Sequence, residues 1–476
     1  MRLSFEEIVR AVDGSAVAGA APCGIVEGVG TDSRAVKPGS LFVCIPGETF
    51  DGHDFAVKAI EAGAAALLVS RNPFDVVPPV PLILVEDTVK ALGKLAHCWR
   101  ERLGETRVIG LTGTAGKTTV KELLRRGLTA KTHMNLNNQI GLPLSMLAAT
   151  GEEAFWVMEA GISHPNDMDE LGAILEPDLA LILNVGPGHA AGLGDRGTAH
   201  YKSKLLAHLA PGGTAIISAD YPDLAREARA VRQELVFFST SGRQVDYRAA
   251  YVVPAGEDKG LFRLWLDGVS IDVEAPFRGA FGAENVIAVA AVAHRLGLGA
   301  EEIAAGFAGA ALPKQRFACL RAGDWLVIDD SYNASPDSMR SNANPLSFSR
   351  MLEAAAEMAG DHADRPLVCV LGEMGELGSL SEDEHRNLGR LVADIKPRLV
   401  CWKGGHLEEF EDGLHAGRYG GAFCPVTSAE DMFKGLAACD LGSGGGVILF
   451  KGSRSNKLET LVSAFTEAQA GEPHAV

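Results

Sequence analysis

The stretch Val108-Ile-Gly-Leu-Thr-Gly-Thr-Ala-Gly-Lys-Thr-Thr119 decides how the rest of the chain is read. An apolar run from Arg107 to Leu111 predicts a strand. A glycine-rich turn follows, and a helix opens at Lys117-Thr118 and runs over Thr119 to Arg126. That helix sets Val120, Leu123, Leu124 and Leu128 on one face. A turn of this kind aims backbone N–H groups and a helix N-terminus at one spot, which favours an anion. Gly113, Thr114, Ala115, Gly116, Lys117, Thr118 and Thr119 are therefore the candidates for holding phosphate groups. Lys117 can reach β- and γ-phosphates, and the Thr118 hydroxyl can hold a magnesium ion. The full eight-residue pattern needs glycine at position 111, where Leu111 stands, so this is a shortened loop. A tight strand–helix turn with an incidental lysine is the rival reading, and the flanking strand and helix weigh against it.

Phosphate binding needs a second acid to complete a metal site. Glu159 ends the apolar run Phe155 to Met158, and ligands of an open α/β sheet gather at the carboxyl ends of strands. Glu159 is the expected metal carboxylate; the alternative is a strand-end surface glutamate. His189 lies beyond the run Leu179 to Leu183, where a structural histidine is the commoner outcome. Lys204, in His200-Tyr-Lys-Ser-Lys-Leu205, reads by residue logic alone as a solvated helix lysine and stays unassigned at this point.

Outward from this centre the 476 residues divide into three blocks. Residues 1 to 104 alternate short strands (41–45, 66–69, 81–85) with a helix over Phe55 to Ala62, and Glu101 to Thr106 reads as a linker. Residues 105–312 carry the strand–loop–helix alternation of a doubly wound sheet, with a strand at Ala215 to Ile217. Residues 247 to 275 switch to an antiparallel pattern, and Val286 to Leu296 predicts a buried helix. Residues 313–476 form a second α/β unit with strands at 325–328, 367–371, 399–402 and 447–450. The formal net charge of −17 argues against a nucleic-acid or anionic-membrane binder. The eight cysteines form no C-x-x-C pair and read as buried thiols of a reducing compartment. The N-terminus lacks an apolar signal core, and no run approaches the ~20 residues that cross a bilayer. A soluble cytoplasmic protein is expected.

These pieces together resemble the Mur ligase family over nearly the whole chain. Gly113-Thr-Ala-Gly-Lys-Thr-Thr119 is similar to its ATP loop, and Asn135-Leu-Asn-Asn-Gln-Ile-Gly-Leu-Pro143 to an Asn-rich motif. Asp329-Asp-Ser-Tyr-Asn-Ala-Ser-Pro-Asp-Ser-Met339, Leu371-Gly-Glu-Met-Gly-Glu-Leu-Gly378 and Lys451-Gly-Ser-Arg454 resemble its C-terminal signatures. Thr31-Asp-Ser-Arg34, Pro46-Gly47 and Asp51-Gly-His53 resemble the part that holds a UDP-sugar. The resemblance implies a three-domain α/β fold. A central P-loop domain with a doubly wound, mostly parallel sheet lies between a small N-terminal UDP-binding α/β domain and a C-terminal Rossmann-like domain that closes on ATP.

It also implies an ATP-dependent ligase that joins D-alanyl-D-alanine to UDP-N-acetylmuramoyl-tripeptide in peptidoglycan precursor synthesis. Magnesium, as two ions, would be held by Thr118, Glu159, His189 and Lys204, the last carbamylated. Lys117, His189 and Lys204 would be catalytic, and Asn285, Arg316 and Asp330 would contact the nucleotide. Ser33, Arg34, Asn137, Asn138, Tyr332 and Asn333 would contact the substrates. A monomer without nucleic-acid or membrane partners is implied. Glu284 and Ala288 stand where the family often has His and Asn, so the adenine contacts depart from the family pattern, and Ser335 stands where Asn is usual before Pro336. The alternatives are a sibling amide ligase (a third-residue-adding muramoyl ligase or folylpolyglutamate synthase), a P-loop kinase, and a non-catalytic nucleotide-binding scaffold.

Overall fold

The computed structural model describes the chain except residues 18–23, 48, 128–136, 187–192, 194–195, 313–316, 332–344, 362–364, 376, 442–444 and 471–476. The side chains of 126, 127, 345–347 and 454 are likewise outside it. Four sheets organise the rest.

The loop strand Arg107–Thr112 sits in an eight-stranded sheet, between Phe155–Glu159 at the edge and Leu179–Ile182. Thr214–Ser218, Val236–Ser239 and Tyr247–Pro254 follow in parallel; Gly260–Leu266 and Val269–Ala275 complete the sheet antiparallel. The antiparallel segment expected as a small insert is thus continuous with the main sheet, joined through Phe238 opposite Tyr247. Central strands buried on both faces must be apolar on both, so they read as unbroken apolar runs. Alternate residues feed two cores. Val108, Trp156, Ala180 and Ile182 pack on one side. Ile109, Leu111, Val157 and Leu181 pack on the other, against helix Lys117–Gly127 and the apolar helix Gly282–Arg295. In that last helix even Glu284 and Asn285 are buried.

The N-terminal sheet runs Ser15–Ala16, Leu82–Leu84, Ala66–Val69, Leu41–Val43, Val29–Gly30, all parallel except its first pair. Arg2–Ser4 and Ile25–Glu27 form a separate antiparallel ribbon. Helix Thr88–Arg102 begins where the Asp87 carboxylate accepts from Val89 N and Lys90 N at 2.9 and 3.0 Å, an N-cap. It ends at Arg102, so Glu101 and Arg102 belong to a helix and not to a linker. Apolar periodicity fails there only because the helix's last turn is exposed. Leu92, Leu95 and Trp99 share one core with Leu41, Val43 and Ile83 of the first sheet and with Val108 and Trp156 of the second. Trp99 also donates its indole N–H to Ala149 O at 3.2 Å.

The C-terminal sheet has the order Ala318–Ala322, Trp325–Asp330, Gly446–Lys451, Leu367–Gly372, Leu399–Lys403, Ala422–Pro425. Only its first pair is antiparallel. The two outer strands escape periodicity because each is short and half exposed. Among the described residues no helix is long and apolar enough to cross a membrane. Because Trp99 closes a core shared by two sheets, Trp99→Ala is expected to cost ~3 kcal/mol or more. Thermal unfolding followed by circular dichroism should show the corresponding fall in the transition temperature.

Candidate active site

Three strand ends converge at one edge of the central sheet. Leu111 lies opposite both Glu159 and Leu181, so the phosphate loop leaves its strand level with the Glu159 carboxylate. Neighbouring exits are stitched to the loop strand. Ala160 N donates to Leu111 O at 2.8 Å, Leu183 N donates to Thr112 O at 3.0 Å, and the Thr112 hydroxyl donates to Ala160 O at 2.8 Å. Loop residues Gly113 to Thr119 therefore sit where an anion meets backbone N–H groups and the helix N-terminus of Lys117–Gly127. Gly116 adopts φ +81°, and a Cβ there would lie 2.5 Å from the Asn285 amide oxygen. Glycine is needed twice over at that position. The same contact brings Asn285 to the loop; its buried Oδ1 has no hydrogen-bond partner among the described residues.

The Thr118 hydroxyl donates to Glu159 Oε2 at 3.1 Å, and Asn137 Nδ2 donates to Glu159 Oε1 at 3.1 Å. A buried carboxylate beside a threonine hydroxyl is a hard-oxygen donor set of the kind magnesium takes with phosphates and water. No group of three or more His, Cys, Asp or Glu suited to a metal occurs among the described residues. Magnesium held through one carboxylate, a hydroxyl and substrate oxygens does not require one. Lys117 Nζ rests on Gly113 O at 2.9 Å, at the mouth of its own loop.

The lysine facing this cluster is Lys202, which sequence reasoning missed. It is 1% exposed in helix Gly197–Ser203, and its electrostatic neighbours are Lys117 and Glu159. Burial, then the Lys117 ammonium, push its pKa well below the ordinary lysine value, while Glu159 pulls the other way. Lys204 instead pairs with Asp169 at 2.6 Å, beside His208. The signal was present in the sequence: Ala199, Leu205 and Leu206, at i−3, i+3 and i+4 from Lys202, are apolar, whereas Lys204 is flanked at i±4 by His200 and His208.

Asn138 does not reach Glu159 as its neighbour does. Its amide oxygen accepts from Ile140 N and Gly141 N at 3.2 and 2.8 Å, closing the turn that leads into the following helix. The Asp330 carboxylate accepts from Phe317 N at 3.0 Å and pairs with buried Lys451, which joins two C-terminal signatures. The third signature joins the same group where Gly375 N donates to Ser453 Oγ at 2.8 Å, and just beyond it Asn456 Nδ2 donates to Glu373 O at 3.0 Å. Ser33 and Arg34 lie in the turn after the N-terminal edge strand, with Arg34 paired to Asp32 at 2.7 Å. That guanidinium and the Arg34 backbone N–H hold the Asp32 carboxyl at about 2. His189, Arg316, Tyr332 and Asn333 lie outside the described residues.

Fold and site together define a phosphate-loop α/β protein in which a second α/β unit follows the nucleotide sheet. Residues 111–293 match the Mur ligase middle domain, 25–100 the Mur ligase family catalytic domain, and 315–454 the Mur ligase glutamate ligase domain. The chain is 35% identical over 454 residues to the UDP-N-acetylmuramoyl-tripeptide–D-alanyl-D-alanine ligase of Escherichia coli K12, covering 93% of this chain and 94% of that one. A crystal structure of MurF from Acinetobacter baumannii superposes with a TM-score of 0.86 at 30% identity, over 98% and 99% of the two chains. A MurF ligase of Thermotoga maritima in complex with ADP gives 0.79 at 27% identity, over 93% and 98%. The chain belongs to the Mur ligase family, and it is an ATP-dependent ligase. Glu159→Gln keeps the side chain's size and removes its charge. It is expected to raise the magnesium concentration for half-maximal ATP turnover about tenfold or more, as weakening even an outer-shell partner does; a metal titration of ADP release checks this.

Proposed function

We propose that this enzyme joins D-alanyl-D-alanine to UDP-N-acetylmuramoyl-tripeptide in peptidoglycan precursor synthesis, working in the cytoplasm as a monomer without membrane or nucleic-acid partners. The observation that carries the reading is the convergence of Lys117, Thr118, Glu159 and Lys202 at one sheet edge, in a chain matching a ligase of that name over nearly its full length.

A free carboxylate is a poor electrophile, so it is first activated. The tripeptide's terminal carboxylate oxygen attacks the γ-phosphorus of ATP; the bond to the β-phosphate oxygen breaks, giving acyl phosphate and ADP. The neutral amine of D-alanyl-D-alanine then attacks the acyl carbon. The carbon–oxygen bond to phosphate breaks, and the amide forms with release of inorganic phosphate and a proton. Both steps crowd anions. Lys117 and the loop N–H groups offset that charge, and the enclosed geometry holds the reactants in line. Magnesium, when bound through Thr118 and Glu159, neutralises phosphate oxygens; His189 is assigned to a second ion.

The carbamate implied by the family resemblance is placed here on Lys202 and not on Lys204. Burial and the neighbouring Lys117 charge favour the free amine of Lys202: its nitrogen bonds the carbon of carbon dioxide, one proton leaves, and a neutral amine facing Lys117 becomes an anionic carbamate. Lys204 is already tied to Asp169. The unpartnered buried amide oxygen of Asn285 fits the adenine side. Arg316 and Asp330 reach ATP from the C-terminal unit as it closes. Ser33 and Arg34 hold the UDP end, and Asn137, Asn138, Tyr332 and Asn333 line the path of the reacting groups.

The test is a product assay with ATP, UDP-N-acetylmuramoyl-tripeptide and D-alanyl-D-alanine. A mass-identified muramoyl pentapeptide with matching ADP and phosphate is expected. Product from glutamate or diaminopimelate instead would assign a sibling reaction, and phosphate transfer without an amine would assign a kinase. Lys117→Ala should lower ADP release by about 10² or more. With ¹³C-bicarbonate, the wild type and Lys204→Ala should show a carbamate carbon resonance that Lys202→Ala lacks. A signal lost only in Lys204→Ala would reverse the assignment.

A further inference from the structure

The Asn184 side chain, fully buried two residues beyond Leu179–Ile182, clamps the phosphate loop. Its amide oxygen accepts from Thr114 N at 3.0 Å and Ala115 N at 2.8 Å. Its amide nitrogen donates to Ala115 O at 3.0 Å and to Glu284 Oε2 at 2.9 Å. With its oxygen and both hydrogens engaged, this amide has one orientation. Glu284 is itself buried, and the same Oε2 accepts from Arg350 Nη2 at 2.5 Å. Arg350 belongs to helix Pro345–Gly360, whose residues Phe348, Met351 and Leu352 pack in the C-terminal core, and it also donates to the Tyr221 hydroxyl at 2.9 Å.

We propose that Arg350 is a positioning residue for ATP: through Glu284 and Asn184 it couples the C-terminal unit to the geometry and charge of the phosphate loop. Two physical consequences follow from the contacts. A buried carboxylate one side chain away from a loop that takes a triphosphate repels it, and the Arg350 guanidinium cancels that repulsion. The clamp also has direction. Moving helix Pro345–Gly360 away from the central unit strips Glu284 of its cation, leaving an anion bonded to the amide that holds Thr114 N and Ala115 N. ATP affinity is then highest when the C-terminal unit is docked.

The proposal rests on the ATP-loop reading, and a double-mutant cycle on the full-length enzyme separates the two. The probe is a non-hydrolysable ATP analogue with magnesium, measured by calorimetry beside KM values for ATP and D-alanyl-D-alanine. Arg350→Met should weaken analogue binding tenfold or more, raising KM for ATP far more than KM for the dipeptide. Adding Glu284→Gln to Arg350→Met should recover most of that loss, because the uncompensated carboxylate is gone. Arg350→Lys, which keeps the charge without the fork, should fall between, and it serves where Arg350→Met does not fold. Effects of Arg350→Met and Glu284→Gln that simply multiply would overturn the proposal, as would equal rises in both KM values. Should Lys117→Ala also leave analogue binding intact, the nucleotide-loop reading itself fails; if only the Arg350 variants bind normally, the coupling alone is wrong.

Discussion

A triphosphate can be held inside a protein only where fixed donors replace the water it loses. In this chain the need is met by register. Leu111 opposite Glu159 and Leu181 brings three strand exits level, so the loop, the acid and the Asn184 amide are neighbours without any of them being close in sequence. The Thr112 hydroxyl on Ala160 O and Leu183 N on Thr112 O hold those exits together. A one-residue slip of the loop strand would put a large side chain at the place of Gly110, where even a Cβ would lie 3.2 Å from Pro177, so close packing enforces the register on which the site depends.

Charge is the second constraint. The molecule is acidic overall, yet the described surroundings of the loop bring two lysines, Lys117 and Lys202, to one glutamate. Two ammonium groups sharing a dry site would repel, and burial together with the Lys117 charge drives the Lys202 pKa well below the ordinary lysine value. As a carbamate Lys202 would carry a fixed negative charge opposite Lys117 and add a hard oxygen donor.

What was legible from sequence follows from how locally each signal is written. The loop strand, Phe155–Glu159 and Leu179–Ile182 are buried on both faces, so each is an unbroken apolar run. The loop between them needs glycine where Asn285 comes close. The fold class and the sheet edge of the site were therefore readable, and so was the position of Glu159 at a strand end beside the loop. Lys202 was passed over because two lysines lie two residues apart, and only the helical face of Ala199, Leu205 and Leu206 tells them apart. Glu284 read as a mere departure from the family pattern. Its partners Asn184 and Arg350 are 100 and 66 residues away, and no window along the chain contains them.

The two junctions of the molecule are built differently, and the difference bears on how the enzyme works. Between the N-terminal and central units one apolar core is continuous, from Leu41 and Ile83 through Leu95 and Trp99 to Val108 and Trp156. Sliding such units apart would expose that core, so they move as one body. Between the central and C-terminal units the buried cores are distinct and meet through the partly buried Phe281 and Leu312, which pack against both. The same junction carries the edge-to-face pair Phe281–Phe317 and the ion pairs Arg278–Asp361, Arg321–Glu257 and Arg350–Glu284. Ion pairs can exchange for water at far lower cost than a core can. A ligase that must admit ATP and then exclude water from an acyl phosphate needs one fixed wall and one that opens. Here the fixed wall is the hydrophobic junction. The wall able to open is held largely by charges, and one of these, the buried Glu284, is hydrogen-bonded to the amide that shapes the nucleotide loop.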